Sequence, residues 1–352
     1  MAGLRDKVIR AGFETLYFSG AHDLLRRFVG GVGMILTFHH VRPGRPDPFQ
    51  PNKLLEVTPE FLALVVEILR QADVDLVSLD EMYRRMTERD FSRRFACLTF
   101  DDGYRDNKTF AYPVLKRLDV PFGIYVPTSF IDRRGELWWL ELEAVIASAL
   151  EVSLRMDGET RTFVCATPEQ KQETYSAIYW WLRRLPTYEE IRAAVHDLTT
   201  RYDVDLSSTY DALCMTWPEL AELAADPLVT IGAHTVHHPI LAKCPPETVH
   251  HEIADGVDEI ARRLGRRPAH FSYPVGDPTS AGPREFEIVR KVGFKTAVTT
   301  RPGVLFPEHH DHLLALPRLS INGDYQDQRY VEVLLSGAAT ALWNRFRHVN
   351  AA

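Results

Sequence analysis

From residue 34 onward the chain alternates short apolar runs with amphipathic stretches, the pattern of successive β-α units. The apolar runs fall at 34–38, 74–78, 95–100, 122–126, 229–233, 270–273, 296–299 and 316–320. Helical spacing occupies most of the intervals, at 59–71 behind Thr58 as an N-cap, 106–118, 247–264 and 283–292. About seven or eight strands with intervening helices predict an α/β fold closed as a (β/α) barrel, whose chemistry gathers at the C-terminal ends of the strands. The rhythm breaks from about 133 to 215. There Trp138-Trp139, a hairpin-like 152–164 and helical segments around Trp180-Trp181 predict a mainly helical insertion, a lid or a partner surface.

Residues 1–33 stand outside this rhythm. Leu4, Val8, Ile9, Phe13, Leu16 and Tyr17 recur at helical spacing, with Arg5, Lys7, Arg10, Arg26 and Arg27 nearby. Such an amphipathic helix suits packing on the domain or on another subunit, or rest on an acidic membrane surface. The segment lacks the apolar stretch and cleavage site of a secretory signal, and no window reaches the ~20 apolar residues of a membrane span. The expectation is a cytoplasmic protein, with peripheral contact at the inner membrane face as the membrane alternative, and one barrel domain over 34–345. A formal charge of −7 gives no reason to bind nucleic acid. Cys97, Cys165, Cys214 and Cys244 are widely spaced without a CxxC pair and read as core thiols.

Two clusters carry candidate chemistry. Leu98-Thr-Phe-Asp-Asp-Gly-Tyr104 ends an apolar run in two adjacent carboxylates followed by a glycine. Two neighbouring negative charges cost free energy unless a cation lies close, although one aspartate capping a following helix is the plainer alternative. Gly232-Ala-His-Thr-Val-His-His-Pro239 places imidazoles just past another run, with His234 and His238 four residues apart. Two imidazoles and one carboxylate suffice for a catalytic metal, because three protein ligands leave positions open for water and substrate. The same set serves non-haem iron oxygenases, but those sit on other folds, and the spare aspartate favours hydrolysis, where a base must take a proton from water.

Thr-Phe-Asp-Asp-Gly-Tyr, then His-Thr-x-x-His-Pro, then Phe271-Ser-Tyr-Pro-Val-Gly276 together resemble the polysaccharide deacetylase family, carbohydrate esterase family four, over about 35–337. The resemblance implies a distorted β/α barrel, with Asp101 as general base and Asp102, His234 and His238 as metal ligands; His237 is a bystander. It also implies an oxyanion donor in the Val275 backbone N–H. Two departures stand out. Where many members carry an arginine that orients the base, this chain has Ser272, and the late Leu-x-His of the general acid is missing. The order resembles the circularly permuted exopolysaccharide deacetylases, whose acid histidine comes from an early strand, here Phe38-His39-His40-Val41. His39 is therefore the expected acid and His40 its fallback. Arg318, in Leu316-Pro-Arg-Leu319, is the expected substitute for the missing arginine, Trp138 and Trp139 are candidates for sugar stacking or insertion core, and His309, His310 and His312 read as a solvated loop.

The resulting expectation is hydrolysis of the N-acetyl group of an amino sugar, in a bacterial glycan or a lipid-linked or nucleotide-linked precursor. Zinc is the expected metal, with cobalt, nickel and iron chemically suitable. The alternatives are a catalytically inactive glycan-binding protein on the same fold and a deacylase of another N-acyl group such as formyl.

Overall fold

The computed structural model describes residues 2–351, and the side chains of residues 2–6, Leu4 and Arg5 among them, lie outside the described residues. Eight parallel strands form the main sheet: β1 (Gly33–Phe38), β2 (Asp75–Leu76), β3 (Phe95–Phe100), β4 (Phe122–Val126), β5 (Val229–Ala233), β6 (His270–Ser272), β7 (Thr296–Pro302) and β8 (Leu316–Ser320). Seven of them close a barrel in the order β1-β3-β4-β5-β6-β7-β8. Closure is made by β1, which pairs with β3 from Gly33↔Phe95 to Phe38↔Phe100 and with β8 at Leu36↔Leu319.

The exception is β2, which pairs only with the first two residues of β3. The apolar run at 74–78 stops short because Ser78 turns outward to cap the next helix, accepting from the Glu81 N–H at 3.1 Å. Every residue of β1, β3, β4 and β6 is buried, as expected of parallel strands covered on both faces.

Side-chain parity divides the core. Ile35, Phe95, Cys97, Tyr125, Val298 and Leu316 form one apolar cluster with Leu79, Met82 and Met86 of the helix Leu79–Glu88. Met34, Leu36, Phe38, Ala96, Leu98 and Phe100, of the opposite parity, belong to the larger cluster shared with the other helices. The four cysteines are buried and free.

Between β4 and β5 the chain adds the helix Trp138–Ser148, the antiparallel hairpin Glu151–Met156/Glu159–Val164 and the helices Pro168–Arg184, Tyr188–Arg201 and Ser207–Leu213. This insertion is tied to the barrel loops rather than free to swing. Asn52 donates to Glu143 at 2.7 Å and accepts from the Tyr175 hydroxyl, while Arg183 donates to Asp277, Thr279 and Ser280.

At the other end of the chain's order, the helix Ala2–Phe18 packs along Gln328–Leu335. Its Phe13 ring lies 5.8 and 5.4 Å from those of Tyr325 and Tyr330, and Leu16 packs on the small cluster of Val29, Ala338 and Ala341. The Phe13 and Leu16 part of the apolar stripe is thus turned onto the domain, while Val8 of the same stripe is 64% exposed. Among the described residues no helix is long and apolar enough to cross a membrane.

Candidate active site

The parity that turns Cys97 inward carries Thr99 and then Asp101 to the mouth of the barrel. Thr99 is fixed by donating to the Leu36 carbonyl at 2.8 Å, and the Asp101 N–H still continues the ladder to the Phe38 carbonyl at 3.0 Å. Arg318 of β8 rises from below. It donates to both oxygens of Asp101 at 2.8 and 2.6 Å, to the Ser272 hydroxyl at 3.1 Å and to the Thr299 carbonyl at 2.8 Å. Ser272 in turn donates to Asp101 at 3.3 Å. The position lacking an arginine on β6 is thus served by an arginine from β8, which is 1% exposed. Burial alone would raise the Asp101 pKa, but the charge and hydrogen bonds of Arg318, with His234 and His39 behind them, hold it below the ordinary carboxylate value.

Asp102 leaves the strand with φ of 72°, which turns its carboxylate away from its neighbour. His234 follows β5 directly, with its Nδ1 2.6 Å from the Ser272 carbonyl, so Nδ1 carries the proton and Nε2 is left as a lone-pair donor. His238 is brought back by the turn His234–His238, in which its N–H donates to the Thr235 hydroxyl at 3.0 Å. Asp102 Oδ1 lies 3.5 Å from His234 Nε2 and 3.4 Å from His238 Nε2. All three residues are buried, and Asp102 Oδ1 has no hydrogen-bond partner.

A buried, orphaned carboxylate oxygen is costly unless something positive meets it. Donors about 2.0–2.1 Å from a tetrahedral cation stand roughly 3.3–3.4 Å apart, so these separations fit a shared metal. Burial pushes His238 down to about 4 against the pull of Asp102, which leaves the imidazole neutral and able to ligate. Its other nitrogen, Nδ1, meets no partner, and its ring is walled by Trp139 and Phe130 at 5.2 and 5.8 Å.

His39 stands one residue past β1 and is partly exposed. Burial lowers its pKa, and the charges of Asp102 and Asp101 pull the other way. His40 is otherwise engaged. Its Nδ1 donates to Asp106 at 2.6 Å and its ring stacks on Tyr104 at 3.6 Å. Val275, at φ of 61°, lies three residues beyond Ser272. Its carbonyl accepts from the Thr300 hydroxyl at 2.6 Å, while its N–H has no acceptor among the described residues.

Two expectations are decided by burial. Trp138 and Trp139 are 2% and 7% exposed, so they are insertion core rather than a sugar platform, although Trp139 also walls His238. His309 is buried, not solvated, and accepts from the Phe306 N–H at 2.9 Å. Its loop lies at the opposite end of the barrel, since the adjoining Leu305 pairs with Gly33 at the start of β1.

Glu252 was not anticipated. One of its oxygens accepts from the N–H groups of Val236 and His237 at 3.1 and 2.8 Å, the other from His237 Nδ1 at 2.7 Å. His237 is therefore a spoke of the turn, not a ligand. The helix Pro246–Leu264 comes this close because Gly256 has no Cβ; one would lie 3.0 Å from the Thr235 carbonyl. Asp106, which accepts from the Val41 N–H as well as from His40, was likewise unforeseen.

Among solved structures the chain is similar to the deacetylase PplD of Streptococcus pyogenes in complex with acetate. The two are 18% identical with a TM-score of 0.56, over 86% of this chain and 97% of that one. It is also similar to IcaB of Ammonifex degensii, with 19% identity and a TM-score of 0.53 over 87% and 98%. A third is the de-N-acetylase of Aggregatibacter actinomycetemcomitans, with 12% identity and a TM-score of 0.55 over 86% and 99%. These likenesses are of fold. No curated protein matches the chain. The family model for polysaccharide deacetylases matches residues 88–297, which span both the aspartate pair and the histidine turn, and the chain belongs to that family.

Proposed function

We propose that the protein is a metal-dependent N-deacetylase that removes the acetyl group from an amino sugar of a bacterial glycan or glycolipid precursor, releasing acetate. The observation that carries this reading is a buried Asp102/His234/His238 set with donors at cation spacing, beside a second carboxylate held on both oxygens by Arg318. A divalent cation bound there, zinc before cobalt, nickel or iron, would polarise the acetyl carbonyl and acidify a water.

The chain's own residues supply the rest. Asp101, ionised at neutral pH, accepts the proton of the attacking water. Arg318 keeps both carboxylate oxygens in place. The Val275 N–H, which meets no acceptor among the described residues, donates to the oxyanion of the tetrahedral species. His39 delivers a proton to the leaving nitrogen, so that a free amine and acetate depart. The histidine of the first strand, with no late counterpart, fits the permuted subgroup. A cytoplasmic, lipid-linked or nucleotide-linked sugar is the proposed substrate class.

The test is acetate release from N-acetylhexosamine substrates, lipid-linked ones included, by metal-reconstituted protein beside Asp101→Asn. Release that the substitution abolishes supports the reading. Retained turnover in Asp101→Asn contradicts the assigned base. Formate in place of acetate assigns another acyl group, and binding without any release assigns a glycan-binding protein.

A further inference from the structure

Eleven large apolar side chains are exposed among the described residues, and six of them, Phe18, Leu24, Phe28, Leu342, Trp343 and Phe346, come from two short terminal stretches. Their exposures run from 51% to 74%. The stretches form one layer. The helices Ala21–Val29 and Ala338–Trp343 share the cluster of Val29, Ala338 and Ala341, with Leu25 against it. Arg94 ties the end of the first helix to the end of Gln328–Leu335, which leads into the second, by donating to both the Gly30 and the Leu335 carbonyls. Leu25 and Val29 use the inner face of the first helix, so Leu24 and Phe28, four residues apart, share an outer one.

Charge separates this layer from the rest of the molecule. Residues 18–30 and 338–352 hold four Arg against one acidic residue, a balance of +3 on a chain of net −7, which leaves −10 for the remainder. Arg26, Arg27, Arg345 and Arg347 are all exposed, and Trp343 lines one shallow depression with Arg345 and Arg347.

We propose that this terminal layer is a docking surface for an anionic lipid bilayer. Exposed apolar side chains that stand out between arginines match an interface of acyl boundary and phosphate, and an exposed tryptophan favours the headgroup level. A second copy fits less well, because a two-fold contact would set the basic layer against itself. The contacting residues differ from those of the predicted amphipathic stripe, whose Phe13 and Leu16 are spent on packing inside the protein.

The layer adjoins the strand N-termini, since Gly31 abuts Leu305, the partner of Gly33. The metal site opens at the other end, roughly a strand length of 17–20 Å away. A docked enzyme therefore reaches a sugar held off the membrane rather than one at the lipid headgroup. That consequence rests on the deacetylase reading; the docking does not.

The experiment is flotation of the full-length protein with phosphatidylcholine vesicles, with and without phosphatidylglycerol, at low and high salt. The protein should float with the anionic vesicles only, and less at high salt. Leu24→Ser/Phe28→Ser/Trp343→Ser should lose flotation. Arg27→Gln/Arg345→Gln/Arg347→Gln should weaken it on the order of 100-fold, at about fivefold per arginine. Acetate release from a water-soluble substrate should be unchanged in both, which separates loss of docking from loss of catalysis. No flotation of the wild type, equal flotation with neutral vesicles, or a dimer dissolved by the triple serine variant overturns the proposal.

Discussion

Arg318→Met removes the guanidinium while keeping most of the side chain's volume, and its consequences can be worked out from the contacts. The Arg318–Asp101 pair is almost wholly buried, with the side chains 1% and 3% exposed. Removing one partner of such a pair leaves an uncompensated buried charge, at about 3–5 kcal/mol. For a chain of this length that lowers Tm by about 4–7 °C. The sign of the pH dependence follows. In the wild type Asp101 titrates below its unfolded value, so its stabilisation is present above that value and is lost as pH falls through the folded pKa. Without Arg318, the burial that already opposes ionisation wins, and the folded pKa rises above the unfolded one. The variant then gains from protonation on acidification, so the Tm gap to wild type, widest at neutral pH, narrows toward acid.

Thermal unfolding of metal-stripped protein across pH reads this without the charge of a cation. In metal-loaded protein the same substitution should lower kcat/KM by about 100-fold or more at neutral pH, from misplacement and partial protonation of the base. The acid limb of the profile should move upward. Arg318→Lys should recover only part of the rate, since a single ammonium cannot bridge both oxygens. An Arg318→Met protein with an unshifted Tm and near-wild-type kcat/KM would refute the assignment.

Substituting His238 or Asp102 by Ala should abolish tight binding of zinc or cobalt, measured by competition with a chelator; wild-type affinity in either would remove it from the ligand set. Glu252→Ala leaves all three ligands in place but releases the turn that carries two of them, so metal affinity should drop by about 10–100-fold, with the cobalt absorption spectrum altered. An unchanged spectrum and affinity would reduce Glu252 to surface chemistry. His39→Gln should lower kcat by about 10²–10⁴-fold. A proton donor acts only while protonated, so its contribution is lost as pH rises, and the variant should lack the alkaline limb of the kcat profile. A persisting alkaline limb would move the acid role to another group.

The strands were legible because each is a short, mostly apolar run set off from its neighbours by turn residues or helical spacing. The single failure, β2, came at a run whose last residue, Ser78, is a better helix cap than strand residue. The insertion's helices carried a readable mark that periodicity did not use: Thr167-x-x-Gln170, Thr187-x-x-Glu190 and, just beyond it, Thr216-x-x-Glu219 are all reciprocal capping boxes. The site divides in the same way. Asp101, Asp102, His234 and His238 follow directly from strand ends, so their convergence could be read from the motifs and the barrel together. Glu252 and Asp106 act from helices through hydrogen bonds to backbone, and a carboxylate on a polar helix face looks like any solvated one. Arg318 was readable only as the answer to an arginine missing at Ser272.

Backbone conformation is where local sequence rules and the site part company. Twelve described non-glycine residues have positive φ. Four others besides Asp102 are aspartates, Asp73, Asp119, Asp157 and Asp203, a residue type that tolerates the left-handed region. The β-branched residues among the twelve are Thr235 and Val275, where the conformation costs about 1–3 kcal/mol. Both belong to the turns that carry the proposed ligands and oxyanion donor, and both are held by their surroundings. The Thr235 carbonyl accepts from the Thr128 N–H at 3.2 Å and its hydroxyl accepts from the His238 N–H, while Glu252 grips the next two N–H groups. Thr300 holds the carbonyls of Val275 and Gly276, and Arg183 braces Asp277 from the insertion. Residues far apart in the chain thus impose on two short turns conformations their own sequences disfavour. The strain has a chemical use: it turns the His238 ring back toward Asp102 and leaves the Val275 N–H free of any internal acceptor. Pattern reasoning cannot supply such geometry, because it resides in the agreement of the insertion, the helix Pro246–Leu264 and the barrel on where two loops must stand.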